Sequence, residues 1–293
     1  MLNALGLIPP EFYDLLWRAW PAILIFFGLS WLLHGRVRFA HMLSLVASGA
    51  LVIGIGTWAF ASRTSQYRED NQFTHVQEVD DVLLLIVNVE TLATDVEFRS
   101  SEDGAIHVEF VGSLESVLTP EYIFDDALPD RATFNLKETR PHQFPLLENI
   151  GRGRLVIELP TEIALDVAFA GEDGDASFNM GDMALERLNI NLQQGDALVT
   201  LPAYSPLAPN IADDPGDLVV RNGDITIFVP SSVGGHFELN RNGSGIQPEY
   251  DPSLYNLLVG DVLESRTFDT ADIQIRYIIT VPRGVIRLVV QER

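Results

Sequence analysis

Glycines at 153, 174 and 195 stand 21 residues apart, and a fourth follows at 223 after seven additional residues. Counting from each glycine, the second, fourth and sixth residues are Leu155, Ile157, Leu159; Ala176, Phe178, Met180; Ala197, Val199, Leu201; and Ile225, Ile227, Val229, all apolar. The residue beside each glycine is charged: Arg154, Asp175, Asp196 and Asp224. Period-two alternation puts one row of side chains on one face of a strand, and a charged residue next to a glycine belongs at a turn. The template also fits Gly104, with Ile106, Val108 and Phe110, and Gly284, with Ile286, Leu288 and Val290. Between glycines lie further alternating segments: LDVAF (165–169), LNINL (188–192) and HFEL (236–239). A longer pattern is shared by ATDVEFRSSEDG from 93 and ALDVAFAGEDG from 164.

One strand-turn-strand-turn unit cannot bury its apolar row by itself, whereas stacked units merge their rows into a continuous core. A β-sandwich of hairpins also repeats its strand signals every 8 to 12 residues. The constant phase favours stacking. The expected fold is mainly β: a single-stranded β-solenoid of units of about 21 residues, with the segments starting at 153, 174 and 195 as successive layers. Gly104, Gly153, Gly174, Gly195, Gly223 and Gly284 would serve repeat turns that need positive φ. Residues 79–150 read as an N-terminal β cap with the first rungs. Residues 151–293 read as the solenoid, with loop insertions near 203–216 and 246–270 and a closing hairpin turned at Pro282 to Gly284.

The front of the chain has a different composition. Residues 19–33 and 42–61 contain no Asp, Glu, Lys or Arg. A helix rises about 1.5 Å per residue, so roughly 20 residues cross the hydrocarbon of a bilayer. The tryptophans, Trp17, Trp20, Trp31 and Trp58, fall near the ends of the two runs, as in an interfacial belt. A transmembrane hairpin over 1–61 is therefore expected, with helices about 15–34 and 40–61, followed by a polar linker over 62–78. Arg36 and Arg38 lie between the runs, which favours a cytoplasmic connection and an extracytoplasmic β domain.

The formal charge is −22, and residues 1–61 carry only Glu11 and Asp14 against Arg18, Arg36 and Arg38, so the remainder is strongly acidic. Such a surface repels nucleic acid and favours basic partners. The absence of cysteine excludes disulfides, thiolate metal sites and cysteine nucleophiles.

The stretch LGLIPPEFYDLLWRAWPAILIFFGLSWLLHGRVR, with Trp20, Pro21, Gly28, Arg36 and Arg38, resembles the LiaF-type transmembrane region of bacterial envelope proteins. The segment 153–246, above all NGDITIFVPSSVGGHFELNRNGSGI, resembles adhesin-type β-solenoid domains attached to such anchors. The resemblance implies fold and attachment, and supplies no catalytic residues. On it, Trp20, Pro21, Gly28, Arg36 and Arg38, and on the interfacial belt Trp17, Trp31 and Trp58 with them, would form the anchor of a two-pass protein of the bacterial cell membrane.

Chemistry is sparse. His34, His41, His75, His107, His142 and His236 have no partners at metal-ligand spacing, and no nucleophile-elbow, P-loop or dinucleotide motif occurs. Acids cluster at Asp80 and Asp81, Asp125 and Asp126, Asp173 and Asp175, and Asp213, Asp214 and Asp217. Paired carboxylates on a stacked-β fold suit glycoside chemistry or calcium, but these lie in turns where Asp and Gly are expected anyway. No catalytic, metal or cofactor residue is assigned. The expected function is a non-catalytic, membrane-anchored envelope scaffold or protein-interaction module, self-association through its helices or the stack ends included. An envelope stress sensor acting on a membrane signalling partner is the alternative, with a polysaccharide-binding or polysaccharide-active protein behind it.

Overall fold

The computed structural model describes residues 71–79, 82–112, 116–124, 130–140, 152–206, 216–240 and 247–291. Its strands are β1 Asn71–Gln77, β2 Leu84–Ser100, β3 Ile106–Gly112, β4 Val117–Phe124, β5 Arg131–Thr139, β6 Gly153–Leu159, β7 Ala164–Asp173, β8 Ala176–Asn179 and β9 Ala184–Gln194. The remainder are β10 Ala197–Thr200, β11 Gly216–Val220, β12 Ile225–Pro230, β13 Val233–Asn240, β14 Tyr255–Leu258, β15 Val262–Ser265, β16 Ile273–Thr280 and β17 Ile286–Gln291.

Hydrogen bonding arranges them in two sheets that share β2. The first runs β1, β3, β6, β2, β8, β10, β12, β17. The second runs β4, β5, β2, β7, β9, β11, β16, β13, β15, β14. Both are parallel in the middle; the second is antiparallel at both ends, and the first is antiparallel at its β1 end and parallel through to β17 at the other. Each central layer supplies one strand to each sheet: β7 with β8, β9 with β10, β11 with β12, β16 with β17. The long β2 supplies both by itself, pairing through Leu84–Glu90 in the second sheet and Thr94–Ser100 in the first.

Registers follow the apolar alternation. Across the first sheet one row holds Leu155, Val96, Ala176, Ala197, Ile225 and Ile286, and the next holds Ile157, Phe98, Phe178, Val199, Ile227 and Leu288. All of these are buried. Phe98 stacks on Phe178 with ring centroids 4.8 Å apart, and Phe169 from the second sheet meets Phe178 edge-on at 5.5 Å. The two sheets thus bury their inner faces against one core.

Three expectations need correction. The fold is mainly β but is neither a single-stranded solenoid nor preceded by an observed helical hairpin. Among the described residues the helical content is one 3-10 turn, Phe268–Thr270, and no helix is long and apolar enough to cross a membrane. The segments 15–34 and 40–61 lie outside the described residues. An uncharged run of 20 meets a length criterion for dissolving in hydrocarbon, and that criterion fixes no conformation.

The order of layers also differs from the order of the glycines. The 153 and 174 segments are not neighbours, because Thr94–Ser100 of β2 lies between β6 and β8. This half of β2 presents Val96 and Phe98 with the same alternation, so its row fits between theirs. The 21-residue step from 153 to 174 passes over a position already filled. The 174, 195, 223 and 284 segments do stack in sequence.

Likewise the two DV-containing segments are not equivalent. Asp166 sits opposite Ile86 in the second sheet, whereas Asp95 sits opposite Arg154 in the first.

Where β2 passes from one sheet to the other at residues 91–93, its pairing with β5 has ended at Glu90, that with β6 begins at Thr94, and Leu92 drops out of the register with β7. Glu138 of β5, 2% exposed, fills this corner. Its Oε2 accepts from the Leu92 N–H and the Thr94 hydroxyl, each at 2.8 Å, and its Oε1 accepts from the Ser116 hydroxyl at 2.8 Å and Arg140 at 3.3 Å. A buried carboxylate is tolerated when such donors surround it.

Candidate functional site

The charged position beside each glycine becomes a continuous feature at the margin of the first sheet. The Asp175 N–H donates to Asp95 Oδ1 at 2.9 Å, Asp196 N–H to Asp175 Oδ1 at 2.9 Å, Asp224 N–H to Asp196 Oδ1 at 2.8 Å, and Val285 N–H to Asp224 Oδ1 at 2.8 Å. Parallel strands about 4.8 Å apart set this spacing. Each carboxylate therefore clips its own layer to the next.

Arginines close both ends. Arg152 reaches Asp95 at 3.5 Å, Asp173 at 3.1 Å and Asp175 at 3.9 Å. Arg287 reaches Asp224 at 2.9 Å and Glu249 at 2.9 Å. The hydrogen bond that Arg287 donates to Asp224, followed by the one it donates to Glu249, raises its pKa above the ordinary value.

Beside this ladder lies an open trough of about 470 Å³ on the outer face of the first sheet. Asp95, Glu97, Asp175, Asp196 and Asp224 line it against Arg154 and Arg287, and Leu198 gives it an exposed apolar floor. Acids outnumber bases there five to two, so its field favours a cationic ligand.

A second cavity, of about 430 Å³, lies between the starts of β9 and β16. β11 pairs with β9 only at Leu218–Val220 and with β16 only from Gly216, so Ala184–Arg187 and Ile273–Arg276 flank a position without a described strand. A bulge in β9 between Leu185 and Arg187 inserts Glu186 at its edge, 5% exposed and accepting from the Tyr204 hydroxyl at 2.6 Å. Burial, then this hydrogen bond, pushes the Tyr204 pKa up to about 12, so the phenol stays a proton donor at neutral pH. On the other side of the bulge Arg187 pairs with Asp166 through Nη2 at 2.6 Å and Nε at 3.1 Å.

Among the described residues no group of three or more potential metal ligands occurs, at a histidine or elsewhere. His75 stacks at 6.3 Å on both Phe73 and Phe134. His236 Nδ1 lies 2.8 Å from Glu264. His107 Nε2 lies 2.8 Å from Asp103, whose Oδ1 also accepts from the Ser101 hydroxyl at 2.7 Å. Serine, aspartate and histidine are adjacent here in the wrong order for nucleophilic catalysis, since the hydroxyl donates to the aspartate rather than to the imidazole.

This turn has a measurable signature. Bonds from His107, Ser101 and the Ala105 N–H, in that order, hold the Asp103 pKa down at about 2. A folded-state value below the unfolded one of about 3.9 means that its contribution is complete above that pH and lost as pH falls through about 2. Carbon-detected NMR should find Asp103 titrating near 2, and His107→Ala should move it back toward 3.9. Titration near 4 in the unmodified chain would contradict the arrangement.

Of the other acids singled out, Asp173 joins the ladder through Arg152, and Asp217 donates its N–H to Asn189 at 3.0 Å. Asp80, Asp81, Asp125, Asp126, Asp213 and Asp214 lie outside the described residues. So do His34, His41 and His142, and the expected anchor residues Trp17, Trp20, Pro21, Gly28, Trp31, Arg36, Arg38 and Trp58. Glu138, Glu186 and the membership of Asp95 in the ladder were not read from the sequence; the last required knowing that β2 lies between β6 and β8.

No protein-family profile and no curated protein matches the sequence. Among solved structures, a "putative cell adhesion protein" from Clostridium sporogenes aligns with a TM-score of 0.60 at 13% identity, covering 75% of this chain and 99% of that one. A "putative adhesin" from Bacteroides fragilis aligns over 75% of this chain and 97% of that one at 10% identity, with a TM-score of 0.25. The first likeness shows a shared fold. The LiaF-type resemblance finds no support in these comparisons. With no described helix able to cross a membrane, the expected two-pass placement in the bacterial cell membrane, β domain outside the cytoplasm, is not supported either.

Proposed function

We propose that this chain is a non-catalytic interaction module of the adhesion type, which engages a basic partner along the acidic trough of its first sheet. The observation that carries this reading is the aspartate ladder, whose carboxylates are already committed as acceptors between layers while the face beside them stays open and negatively charged. The fold shared with a "putative cell adhesion protein" supports the class of function.

A general acid for sugar hydrolysis must hold a proton to give away. The ladder Oδ1 atoms instead receive backbone N–H groups, and Asp224 receives the Arg287 guanidinium as well. Their arrangement suits rigidity and charge display.

Decalysine is a suitable probe of the trough. It should bind the purified full-length chain, with affinity falling at least tenfold as salt rises from about 50 to 500 mM. The double variant Asp175→Asn, Asp196→Asn keeps an oxygen for each backbone N–H, so it should fold normally and bind about tenfold more weakly. Equal binding by the variant, or release of reducing ends from polysaccharides by the chain, would overturn the reading.

A further inference from the structure

Four strands end the two sheets, and three of them are protected against pairing with other chains. β4 carries Pro120 and Glu121 in mid-strand. β17 carries Arg287 and is bridged by Glu249, whose N–H donates to the Ile286 carbonyl at 2.9 Å and whose carbonyl accepts from the Leu288 N–H at 2.8 Å. β14 is four residues long and enters a turn at Gly260 and Asp261. Proline, charge, covering contacts and shortness are the usual means of blunting a sheet edge.

Among the described residues β1 has none of them. Its sequence NQFTHVQ contains no proline and no Asp, Glu, Lys or Arg. It pairs along its whole length with β3, from Asn71 opposite Gly112 to Gln77 opposite Ile106, and among the described residues it pairs with no other strand. Gln72, Thr74 and Val76 face out, while Phe73 and His75 face inward, where His75 stacks on Phe134. An edge of seven residues with regular alternation is a template for one further strand.

We propose that the strand added to β1 is the β1 of a second copy, antiparallel, about a twofold axis through Thr74. The argument is that β1 is complementary to itself. With Thr74 opposite Thr74, Gln72 faces Val76, Phe73 faces His75 and Asn71 faces Gln77. Outward residues then meet outward residues, and inward meet inward. A slip of one residue would put each copy's faces on opposite sides, and a slip of two, which keeps the faces matched, would leave five of the seven residues paired, so alternation and overlap together favour this register. Within Asn71–Gln77 no carboxylate enters cross-strand register, while the same register counts Asp70 opposite Glu78 just beyond each end, a like-charge pair that confines the pairing to these seven residues and weakens it. The symmetry closes after two copies, giving a dimer rather than a fibre. A single strand pair is small by the standard of stable interfaces, which places this dimer in the weak, reversible class. The inference rests on β1 alone and is independent of what the acidic trough binds.

The absence of cysteine permits a direct test, because any thiol introduced is unique. Thr74→Cys puts two thiols opposite each other at a Cβ separation of roughly 5 Å, close enough for a disulfide after slight adjustment. Gln72→Cys and Val76→Cys each put like residues about four positions apart, roughly 13 Å, which is out of reach. Under mild oxidation the full-length Thr74→Cys chain should form a covalent dimer at least tenfold faster than either other variant. A mixture of the Gln72→Cys and Val76→Cys chains should crosslink where neither does alone. The variants all lie on the outward face, and unchanged thermal melts would verify folding. Monomers from Thr74→Cys, or equal rates from all three variants, would overturn the proposal. An edge occupied by a different protein gives the first of these results.

Discussion

Replacing Gly195 with alanine is expected to destabilise the fold by about 4 kcal/mol, adding a strained backbone to an overpacked contact. Gly195 has φ +128°, and a Cβ added there would lie 2.0 Å from the Gly174 carbonyl oxygen in the preceding layer. The obstacle is backbone, and it belongs to the same ladder that Asp175 and Asp196 clip together. Relief would require separating two strands whose spacing is set by hydrogen bonds. Gly104 is the control. Its φ is +77° but nothing lies within 4 Å of its added Cβ, so Gly104→Ala should cost about 1 kcal/mol, the conformational part alone. Denaturant unfolding of both variants checks the difference. Equal losses would mean that the close approach of layers at Gly195 is not real.

Glu138→Ala is expected to cost about 3 to 5 kcal/mol, because removing one member of a buried charged network strands the others. Leu92 N–H, the Thr94 and Ser116 hydroxyls and the Arg140 guanidinium all lose an acceptor at once. For a domain of this size that corresponds to a fall in Tm of about 10 °C, measurable by circular dichroism. Glu138→Gln should fall between, since its amide oxygen replaces one acceptor while its NH2 confronts a donor. A Tm within 2 °C of the parent for Glu138→Ala would show that the corner of β2 is held by something else.

The rows of the first sheet were legible because burial on one face of a strand imposes a period of two. Ile157, Phe178, Val199 and Ile227 were correctly placed on one face by that period alone. It leaves open which strands are neighbours. Val96 and Phe98 carry the same period as Ala176 and Phe178, and nothing local tells a strand which of several equivalent apolar rows it will meet. The shared pattern of 93–104 and 164–174 misled for the same reason, since Asp95 and Asp166 occupy similar local contexts on different sheets. Turn acids at 175, 196 and 224 were visible as turn residues. Their hydrogen bonding across layers was not, because it is a consequence of parallel stacking rather than of the turn itself. Glu138 and Glu186 were overlooked because a lone glutamate in a strand reads as solvated, and only tertiary contacts reveal a corner or a bulge around it.

The position of β2 has a consequence for how the chain is made. It leaves the ribosome before every strand that flanks it in the finished protein: β5 and β6 come later on one side, and β7 and β8 later still on the other. Translation of the 73 residues from Ser100 to Asp173 takes roughly 4 to 15 s at 5–20 residues per second. The longest strand of the described chain thus emerges with both sides unsatisfied, gains β5 and β6 part-way through that interval, and waits on its other side until β7 is made, so the moment of greatest vulnerability to misassociation falls during synthesis, at the centre of the stack.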